Sequence, residues 1–453
     1  MKNHHQRQNH PQRMREMNDD GQQILTAPTE NDALTEHLME RICQPANLNR
    51  AYKRVKANKG SAGVDGMTVE DLFDWITKHK ESLIESLLLG DYQPQPVRGI
   101  EIPKPGNKGV RLLGVPSVVD RLVQQSILQV LEPILDPTFS DSSYGFRPKR
   151  SAHQALKKAQ EYVRDGHGVV VDIDLEKFFD RVNHDILMAR MARRIKDKRL
   201  LKVIRRFLEA GMMMHGVHTA RSEGVSQGGP LSPLMSNLML DELDKELERR
   251  GHKFCRYADD ANVYVKSTRA GERVLQSVKQ FLEKRLKLRV NDTKSGCAAV
   301  YDRQFLGYRL LSDGRLVIAP HSVKRIKDKV RKITKRNRGV SLEQVIYELN
   351  LTLRGWINYF RFTAWNSQVA ELDQWIRRKL RCYRLKQRKQ GRSLYTFLSK
   401  LGVPAVSARV LTSSGKGWWR LSMSPPVSHA MNNAWFEKQG LVNLSKQRVL
   451  LNV

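Results

Sequence analysis

The sequence predicts an α+β fold that joins a sheet-containing centre to a basic, helical C-terminal part. Predicted helices alternate with β-hairpins rather than with single parallel strands, which favours this class over a doubly wound sheet. Two strand-like segments in the centre run into acidic residues, one at Asp174 and one at Asp259-Asp260. Beyond residue 320, apolar residues recur at helical intervals in a strongly basic segment.

For the N-terminal third of the chain, the sequence predicts a basic N-terminal segment followed by helices and one hairpin. Residues 1–30 are rich in His, Gln, Asn and Arg without apolar periodicity, which predicts disorder. Residues 31–58 carry apolar side chains at helical spacing. Segment 96–115 predicts a hairpin, because two apolar runs flank the turn-forming residues 103–107. Further helices are predicted at 118–132 and 151–164.

The central and C-terminal elements follow from the same patterns. The central ones are a strand at 168–174, helices near 184–209 and 234–250, a hairpin at 253–266, a helix near 271–287 and a short strand pair around 298–318. Residues 321–400 contain 21 Lys or Arg and 5 Asp or Glu, a net charge of +16. This is half of the net charge of the chain, and it favours a polyphosphate-binding face over a merely solvated one.

The length and composition of the chain limit the classes of protein to which it can belong. The 453 residues suffice for two or three domains, and a net charge of +32 implies a polyanionic partner. RNA and DNA come first, and an anionic membrane surface is the alternative. There is neither an apolar run of membrane-spanning length nor a signal peptide, so we expect a soluble, cytoplasmic protein without a membrane partner. The four cysteines form no Cys-x-x-Cys, and His215 with His218 favours a polar hairpin over a metal site.

The acidic residues of the two central segments indicate nucleotidyl transfer. Two carboxylates about 4 Å apart repel by roughly 4 kcal/mol at an effective dielectric near 20, so a cluster needs protons or cations. Mg²⁺ takes carboxylate and phosphate oxygens, and a pair of such ions can activate a 3′ oxygen and stabilise a leaving phosphate. An ordinary turn is the alternative for Asp259-Asp260 alone. Asp172 is a rival to Asp174, because the two lie on the same face of the strand.

Six segments in order resemble the motifs of bacterial group II intron-encoded reverse transcriptases and maturases, over roughly residues 45–440. They are Arg111–Arg121, Tyr144–His153, Asp174–Asp180 with Asn183-His184, Gly224–Pro233, Tyr257–Asp260 and Arg354–Tyr359. The resemblance implies a right-hand polymerase with an α-helical thumb or maturase domain. The sequence has no C-terminal nuclease module with paired Cys and His, so we expect the nuclease-free form, with a primer supplied from elsewhere.

The resemblance implies a role for individual residues. The catalytic residues and metal ligands for two Mg²⁺ ions would be Asp174, Asp259 and Asp260. The nucleotide-binding residues would be Lys104, Arg111, Phe179, Gln227 and Gly228, with Phe179 under the incoming sugar and selecting dNTPs. The nucleic-acid-binding residues would be Lys294 and Arg354. Alternatives remain open: Phe179 as a core aromatic, Lys104 and Arg111 as an exposed basic hairpin, and Trp356 and Tyr359 as either core or base-stacking rings.

The domains expected from the resemblance are fingers at 31–167, a palm at 168–320, a thumb or maturase domain at 321–400 and a nucleic-acid-binding segment at 401–453, for which a packed cap is the alternative. The expected partners are group II intron RNA, target DNA and dNTPs; the oligomeric state is not predicted. The expected activities are RNA-directed DNA synthesis and assistance to splicing. Two rivals are another bacterial reverse transcriptase type (retron, diversity-generating or defence) and an RNA-binding splicing factor with an inert palm.

Overall fold

The structure is a computed structural model that describes residues 14–17, 23–26, 35–103, 109–389 and 391–451. Its helices and mainly antiparallel sheets confirm the predicted α+β class. The chain divides into two compact units. The first contains the residues up to 155 and 171–297, and the second contains 156–170 and the residues from 298 onward.

The N-terminal lead contains one short hairpin. Strands β1 (Met14–Met17) and β2 (Gln23–Thr26) pair antiparallel. At these eight residues the structure differs from the predicted disorder, because antiparallel pairing joins segments close in sequence and needs no long apolar pattern. The rest of residues 1–30 lies outside the described part of the chain.

Helices build the beginning of the first unit. They are α1 (Leu38–Cys43), α2 (Pro45–Ala57), α3 (Leu72–Leu88) and α4 (Val118–Leu135). The single helical segment predicted at 31–58 is broken at Gln44, which is extended because a residue before proline disfavours the helical conformation. Helix α2 packs against α4. Asn47 fastens the two helices, since its Nδ2 donates to the carbonyl of Ser126 at 3.0 Å.

The predicted hairpin at 96–115 is confirmed. Strands β3 (Val97–Pro103) and β4 (Val110–Val115) pair antiparallel, with Ile100 opposite Leu113. A second hairpin, β6 (Met212–Met214) and β7 (Val217–Thr219), extends this sheet because β6 pairs parallel with β3. His215 and His218 therefore belong to a hairpin, as the sequence favours. The sheet order is β4-β3-β6-β7.

The central sheet carries the acidic segments. Its strands are β5 (Val169–Ile173), β8 (Lys253–Tyr257), β9 (Asp260–Val265) and β10 (Gly296–Ala299), in the order β10-β5-β9-β8. The helices of this part of the chain are α5 (Ala152–Arg164), α6 (His184–Ala192), α7 (Lys198–Glu209), α8 (Ser232–Arg249) and α9 (Thr268–Phe281). A π-helical turn continues α9 over Leu282–Leu286.

The second unit is mostly helical. Its described residues form one hairpin, β11 (Tyr308–Leu310) with β12 (Leu316–Ile318). The paired strands therefore cover fewer residues than the strand pair predicted around 298–318. Its longer helices are α10 (Pro320–Ile333), α11 (Leu342–Phe360), α12 (Asn366–Arg388) and α13 (Arg392–Lys400). The shorter ones are α14 (Ala405–Thr412), α15 (Trp418–Leu421), α16 (Pro425–Ala430), α17 (Asn433–Lys438) and α18 (Leu444–Leu450).

Helix α11 supplies a central apolar stripe of this unit. Leu349, Leu353 and Ile357 recur at helical spacing and are fully buried. Helix α18 packs against both α11 and α12. Asp373 of α12 caps α18, since its carboxylate accepts from the backbone amides of Leu444 and Ser445 at 3.0 Å each. None of the described helices is both long and apolar enough to cross a membrane.

Candidate active site

The two adjacent aspartates lie at the turn that joins β8 to β9. Tyr257 pairs with Asp260 across the hairpin, so Ala258 and Asp259 form a two-residue turn. Ala258 has a φ of 59°, a left-handed conformation that costs a non-glycine residue of order 1 kcal/mol. Ala258 is nevertheless buried. The tight turn projects Asp259 at the end of the sheet, beside the first residue of β9.

Asp174 follows β5, which is the neighbour of β9 in the central sheet. A loop at 291–295 holds its backbone: Ser295 Oγ accepts from the Asp174 amide at 2.9 Å, and the Asn291 amide donates to the Asp174 carbonyl at 2.8 Å. Lys294 of the same loop donates to both carboxylate oxygens of Asp174, at 3.1 and 3.2 Å. The loop therefore fixes Asp174 through its backbone and neutralises its side chain.

The carboxylates interact electrostatically. Burial and the neighbouring charge of Asp174 raise the pKa of Asp259, while Arg111 and Lys294 oppose the rise. Desolvation, together with the charges of Asp259, Asp172 and Asp174, raises the pKa of Asp260 to about 6. Acids brought to the ends of two adjacent strands thus repel one another, as the sequence leads us to expect.

The described acidic side chains interact electrostatically, but they do not form a complete set of metal ligands. Within the described residues, no three His, Cys, Asp or Glu side chains are gathered closely enough to hold a metal ion. Asp174 is engaged by Lys294 instead. The rival Asp172 is half-buried in β5, and the Asn262 amide, turned with its nitrogen toward it, donates to Asp172 Oδ1 at 3.2 Å. That partner gives Asp172 a role within the sheet.

A buried ion pair supports the turn from below. Arg256 of β8 and Asp244 of α8 are both fully buried and form two hydrogen bonds, at 2.6 and 2.7 Å. Arg256 Nη1 also donates to the carbonyl of Ala258 at 2.8 Å and to Asn237 Oδ1 at 3.0 Å. Because removing one partner of a buried pair typically costs about 3–5 kcal/mol, this network holds the conformation of the turn firmly.

Gly145 packs against the other side of the same turn. A Cβ atom at this residue would lie 2.2 Å from the Ala258 nitrogen and 2.8 Å from the Tyr257 carbonyl carbon. The Gly145 carbonyl accepts from Asn237 Nδ2 at 2.9 Å, and the neighbouring Tyr144 amide donates to the Arg256 carbonyl at 2.9 Å. The segment around Gly145 therefore clamps the turn that carries Asp259.

Phe179 lies between the acidic strand and the glycine-containing loop at 224–229. Phe178 is buried, as expected for a core ring, whereas Phe179 is half-buried and meets Phe178 edge-on at 5.2 Å between ring centroids. The Val225 amide donates to the Phe179 carbonyl at 2.6 Å. Gly224, with a φ of 90°, approaches the same carbonyl so closely that a Cβ would lie 3.1 Å from it. The loop and the Phe179 segment are thus held together.

Three of the predicted nucleotide-binding residues meet at the β3–β4 hairpin. Arg111 is exposed, and its Nε donates to Gln227 Oε1 at 2.7 Å. The Gln227 carbonyl accepts from the Gly114 amide at 2.8 Å. Gly228 has a φ of 129°, and a Cβ there would lie 2.6 Å from the Gly114 carbonyl oxygen. Lys104 falls outside the described residues, so its predicted role stays a prediction.

Among the residues of the second unit for which a role is predicted, Arg354 is exposed, whereas Trp356 and Tyr359 pack against neighbouring residues. Arg354 is exposed on α11. Tyr359 Oη donates to the Leu306 carbonyl at 2.7 Å, and Tyr308 Oη donates to the Tyr359 carbonyl at 2.6 Å. Trp356 packs against Phe360, with the ring centroids 4.9 Å apart and the ring planes tilted by 42°. These contacts favour the core alternative for both Trp356 and Tyr359.

The residues that support the turn are not among those predicted from the sequence. Arg256 is a single charge in an otherwise apolar and aromatic strand end, Phe254 to Tyr257, which is the signal that could have marked it as a buried, paired arginine. No spacing rule links it to Asp244 on the preceding helix. Gly145 lies in one of the segments that resemble the family motifs. The reason for a glycine at this position, however, follows only from its contact with Ala258.

Comparisons with known proteins agree with this geometry. The sequence matches the reverse transcriptase (RNA-dependent DNA polymerase) family over residues 102–310 and the group II intron maturase-specific domain over residues 323–402. It is 35% identical to Protein YkfC of Escherichia coli strain K12, over 63% of this chain and 85% of that protein. It is 36% identical to the group II intron-encoded protein LtrA of Lactococcus lactis subsp. cremoris, over 50% of this chain and 37% of LtrA.

These matches confirm the resemblance drawn from the motifs. The reverse transcriptase match contains the acidic strand end, the Tyr257–Asp260 turn and the loop at 224–229. The maturase-specific match contains the basic helices of the second unit. The chain therefore belongs to the family of reverse transcriptases with a group II intron maturase-specific domain, and its enzyme class is RNA-directed DNA polymerase.

Proposed function

We propose that this chain copies RNA into DNA at the carboxylates that follow β5 and begin β9, and that its second unit binds the RNA of a group II intron. The observation that carries the proposal is the location of Asp174 and of Asp259-Asp260 at the ends of adjacent strands. Burial, together with repulsion from the neighbouring aspartates, raises the pKa of Asp260 to about 6, which supports a site prepared for positive charge.

Asp174 and Asp259, with Asp260 beside them, would hold two Mg²⁺ ions. Their carboxylate oxygens are the donors that this ion prefers. When bound, two such ions activate an attacking 3′ oxygen and stabilise the leaving phosphate. Lys294 donates to both oxygens of Asp174, so it has to release this carboxylate before Asp174 can bind a cation. Lys294 would then be available to contact nucleic acid near the primer end.

The residues around Gln227 would receive the incoming dNTP. Arg111 lies near enough to Asp259 to oppose the rise in its pKa, and a guanidinium can bind a triphosphate through two hydrogen bonds. The Gly114 contact would keep Gln227 and Gly228 in place beside the new base pair. Half-buried Phe179 would lie under the sugar and exclude a 2′-hydroxyl.

Binding of intron RNA would belong to the second unit. Its segment 321–400 carries a net charge of +16, and Arg354 is exposed on α11. RNA folds are recognised largely through phosphates, 2′-hydroxyls and shape, so a maturase can assist splicing without a catalytic residue of its own. In this proposal the same protein copies the intron into DNA at the target site during intron mobility.

Primer extension on an RNA template tests the polymerase proposal. We expect Asp259→Asn to lose at least 1,000-fold in dNTP incorporation with Mg²⁺, because a metal-ligating and charge-stabilising group is removed. Binding of an intron RNA transcript by the same variant should stay within twofold of the original chain. Asp165→Asn, an exposed aspartate that precedes β5 whereas Asp174 follows it, is the matched control and should extend normally.

The outcomes separate the rival functions. Extension by Asp259→Asn at the original rate would remove this residue from the site and overturn the proposal. RNA binding by the original chain without any extension would instead favour an RNA-binding splicing factor. Extension without preference for intron RNA over an unrelated structured RNA would favour another type of reverse transcriptase.

A further inference from the structure

The second unit carries two tryptophans surrounded by cations. Around the Trp375 ring of α12 lie Lys327 Nζ and Arg331 Cζ of α10, at 5.8 and 5.5 Å from the ring centroid, and Lys379 Nζ at 5.5 Å. Around the Trp419 ring of α15 lie Arg378 Cζ at 3.7 Å and Lys379 Nζ at 4.9 Å. Lys379 thus approaches both rings and connects them.

Two neighbouring cavities open beside these rings. One of about 800 Å³ is lined by Trp375, Arg377, Arg378 and Arg381, among others. A smaller one of about 300 Å³ is lined by Arg336, Lys379 and Trp419 together with Thr334 and Cys382. We call the two cavities with their lining residues the tryptophan cleft. Each has the size of an ordinary small-ligand site.

The cleft is fastened firmly to α12. Arg381 Nε donates to the Ser422 carbonyl and its Nη1 to the Met431 carbonyl, both at 3.1 Å. Arg378 Nη2 donates to the Trp419 carbonyl at 3.3 Å. Trp419 itself is 36% exposed. Trp419 is thus a large, partly exposed aromatic ring on a four-residue helix that these hydrogen bonds tie to α12, and such a ring is suited to stacking.

The cations of the cleft repel one another. Burial lowers the pKa of Lys379, and Arg331, Arg336 and Arg378 lower it further. Burial and nearby arginines likewise lower the pKa of Arg381. Acids are few: Asp328 pairs with Arg331 at 2.5 Å, and Glu371 lines the larger cavity. Collecting like charges in this way destabilises the free protein and is relieved when a polyanion binds.

We propose that the tryptophan cleft binds unpaired nucleotides of single-stranded nucleic acid, with a base stacked on Trp419 and the adjoining phosphates held by Arg336 and Lys379. Alternation of aromatic rings with cations is the general chemistry of single-strand binding, because rings take bases and cations take the backbone. The inference deepens the proposed function, on which it rests for the nature of the partner, by naming a separate subsite for unpaired segments. RNA and DNA share this chemistry.

Fluorescence anisotropy on the full chain tests the proposal with three labelled 12-mers: oligouridylate, oligothymidylate and an abasic strand with the same number of phosphates. Unlabelled primer–template duplex is present in excess to occupy the polymerase site. We expect Trp419→Leu to weaken binding of a base-containing strand about tenfold and of the abasic strand less than twofold, since only stacking is lost. Trp419→Phe should restore most of the affinity. A loss with either or both base-containing strands supports the proposal, and a difference between the two strands shows whether the cleft prefers RNA or DNA.

Cation removal gives an independent measure. Arg336→Gln with Lys379→Gln should weaken all three strands and reduce the slope of log affinity against log salt by about 1.4, as expected for two lost phosphate contacts with single strands. The matched controls are Trp365→Leu, a 43% exposed tryptophan outside the cleft, and Lys78→Gln, an exposed lysine of α3 outside the basic segment 321–400. Neither control should change binding.

Photocrosslinking locates the contact directly. An oligonucleotide with 5-iodouridine should crosslink to the peptide that contains Trp419. An equal loss for abasic and base-containing strands in Trp419→Leu, or crosslinks confined to the first unit, would overturn the proposal. The same preparations are assayed for primer extension. Strand binding tests the cleft and primer extension tests the polymerase site, so that failure of one proposal is distinguished from failure of the other.

Discussion

Replacing Gly145 with alanine tests whether this glycine exists to admit the turn that carries Asp259. The new Cβ would lie 2.2 Å from the Ala258 nitrogen, about 1 Å inside the closest separation that such atoms tolerate. The obstructing atoms are backbone and cannot rotate away. Gly145 does not have a positive φ, so alanine is compatible with its own backbone and the effect comes from the contact alone.

The magnitude follows from the required movement. The turn has to shift by about 1 Å, and a misplacement of this size can reduce a rate about 100-fold. Overpacking should also lower the free energy of unfolding by about 1–3 kcal/mol, which leaves the protein folded. Single-turnover primer extension measures the first effect and thermal unfolding the second. We expect the rate of incorporation to fall far more than the affinity for the primer–template.

Gly168→Ala is the matched control, because a Cβ at Gly168 meets no heavy atom within 4 Å. It should leave both the rate and the unfolding temperature unchanged. Incorporation by Gly145→Ala within threefold of the original rate, in a folded protein, would show that the clamp does not position Asp259.

Three further predictions concern the carboxylates, the sugar and the charge. Because the pKa of Asp260 is raised to about 6 from an unfolded value near 3.8, its ionised form destabilises the folded chain above pH 6, so Asp260→Asn should raise the unfolding temperature at pH 8 in EDTA and give no gain below pH 4. An equal gain at both values would contradict this origin. Phe179→Ala should raise rNTP incorporation relative to dNTP at least tenfold, whereas Phe178→Leu, at a buried position, should leave this ratio unchanged. An unchanged ratio for Phe179→Ala would mean that Phe179 is a core residue. The affinity for intron RNA should fall steeply between 50 and 200 mM salt, and a nearly flat dependence would refute a phosphate-binding role for the basic helices.

The elements and the acids of the site could largely be predicted, because both depend on local patterns. The hairpin at Tyr257–Asp260 and the strand that ends at Asp174 follow from alternation and turn chemistry. The break at Pro45 follows from proline geometry, although the apolar spacing of residues 31–58 predicts one helical segment across it. Residues 296–299 join the central sheet beside β5 rather than a local hairpin, and such non-local pairing leaves no mark in the segment itself.

The supports of the site could not be predicted in the same way. Arg256, Asp244 and Asn237 meet only after α8 and β8 pack together. The bond from Lys294 to Asp174 joins residues 120 positions apart and follows from the position of the loop at 291–295. Tertiary packing decides these contacts, whereas residue type and local spacing suffice for the acids themselves.

The most direct measurement is a crystal structure of the chain with an RNA template, a DNA primer, a non-hydrolysable dNTP and Mn²⁺ in place of Mg²⁺. We expect two anomalous peaks about 4 Å apart, bound by Asp174 and Asp259, with Lys294 withdrawn from Asp174. Manganese bound away from these side chains in a complex with a paired 3′ end, while Lys294 still holds both oxygens of Asp174, would contradict the assignment of this site to DNA synthesis.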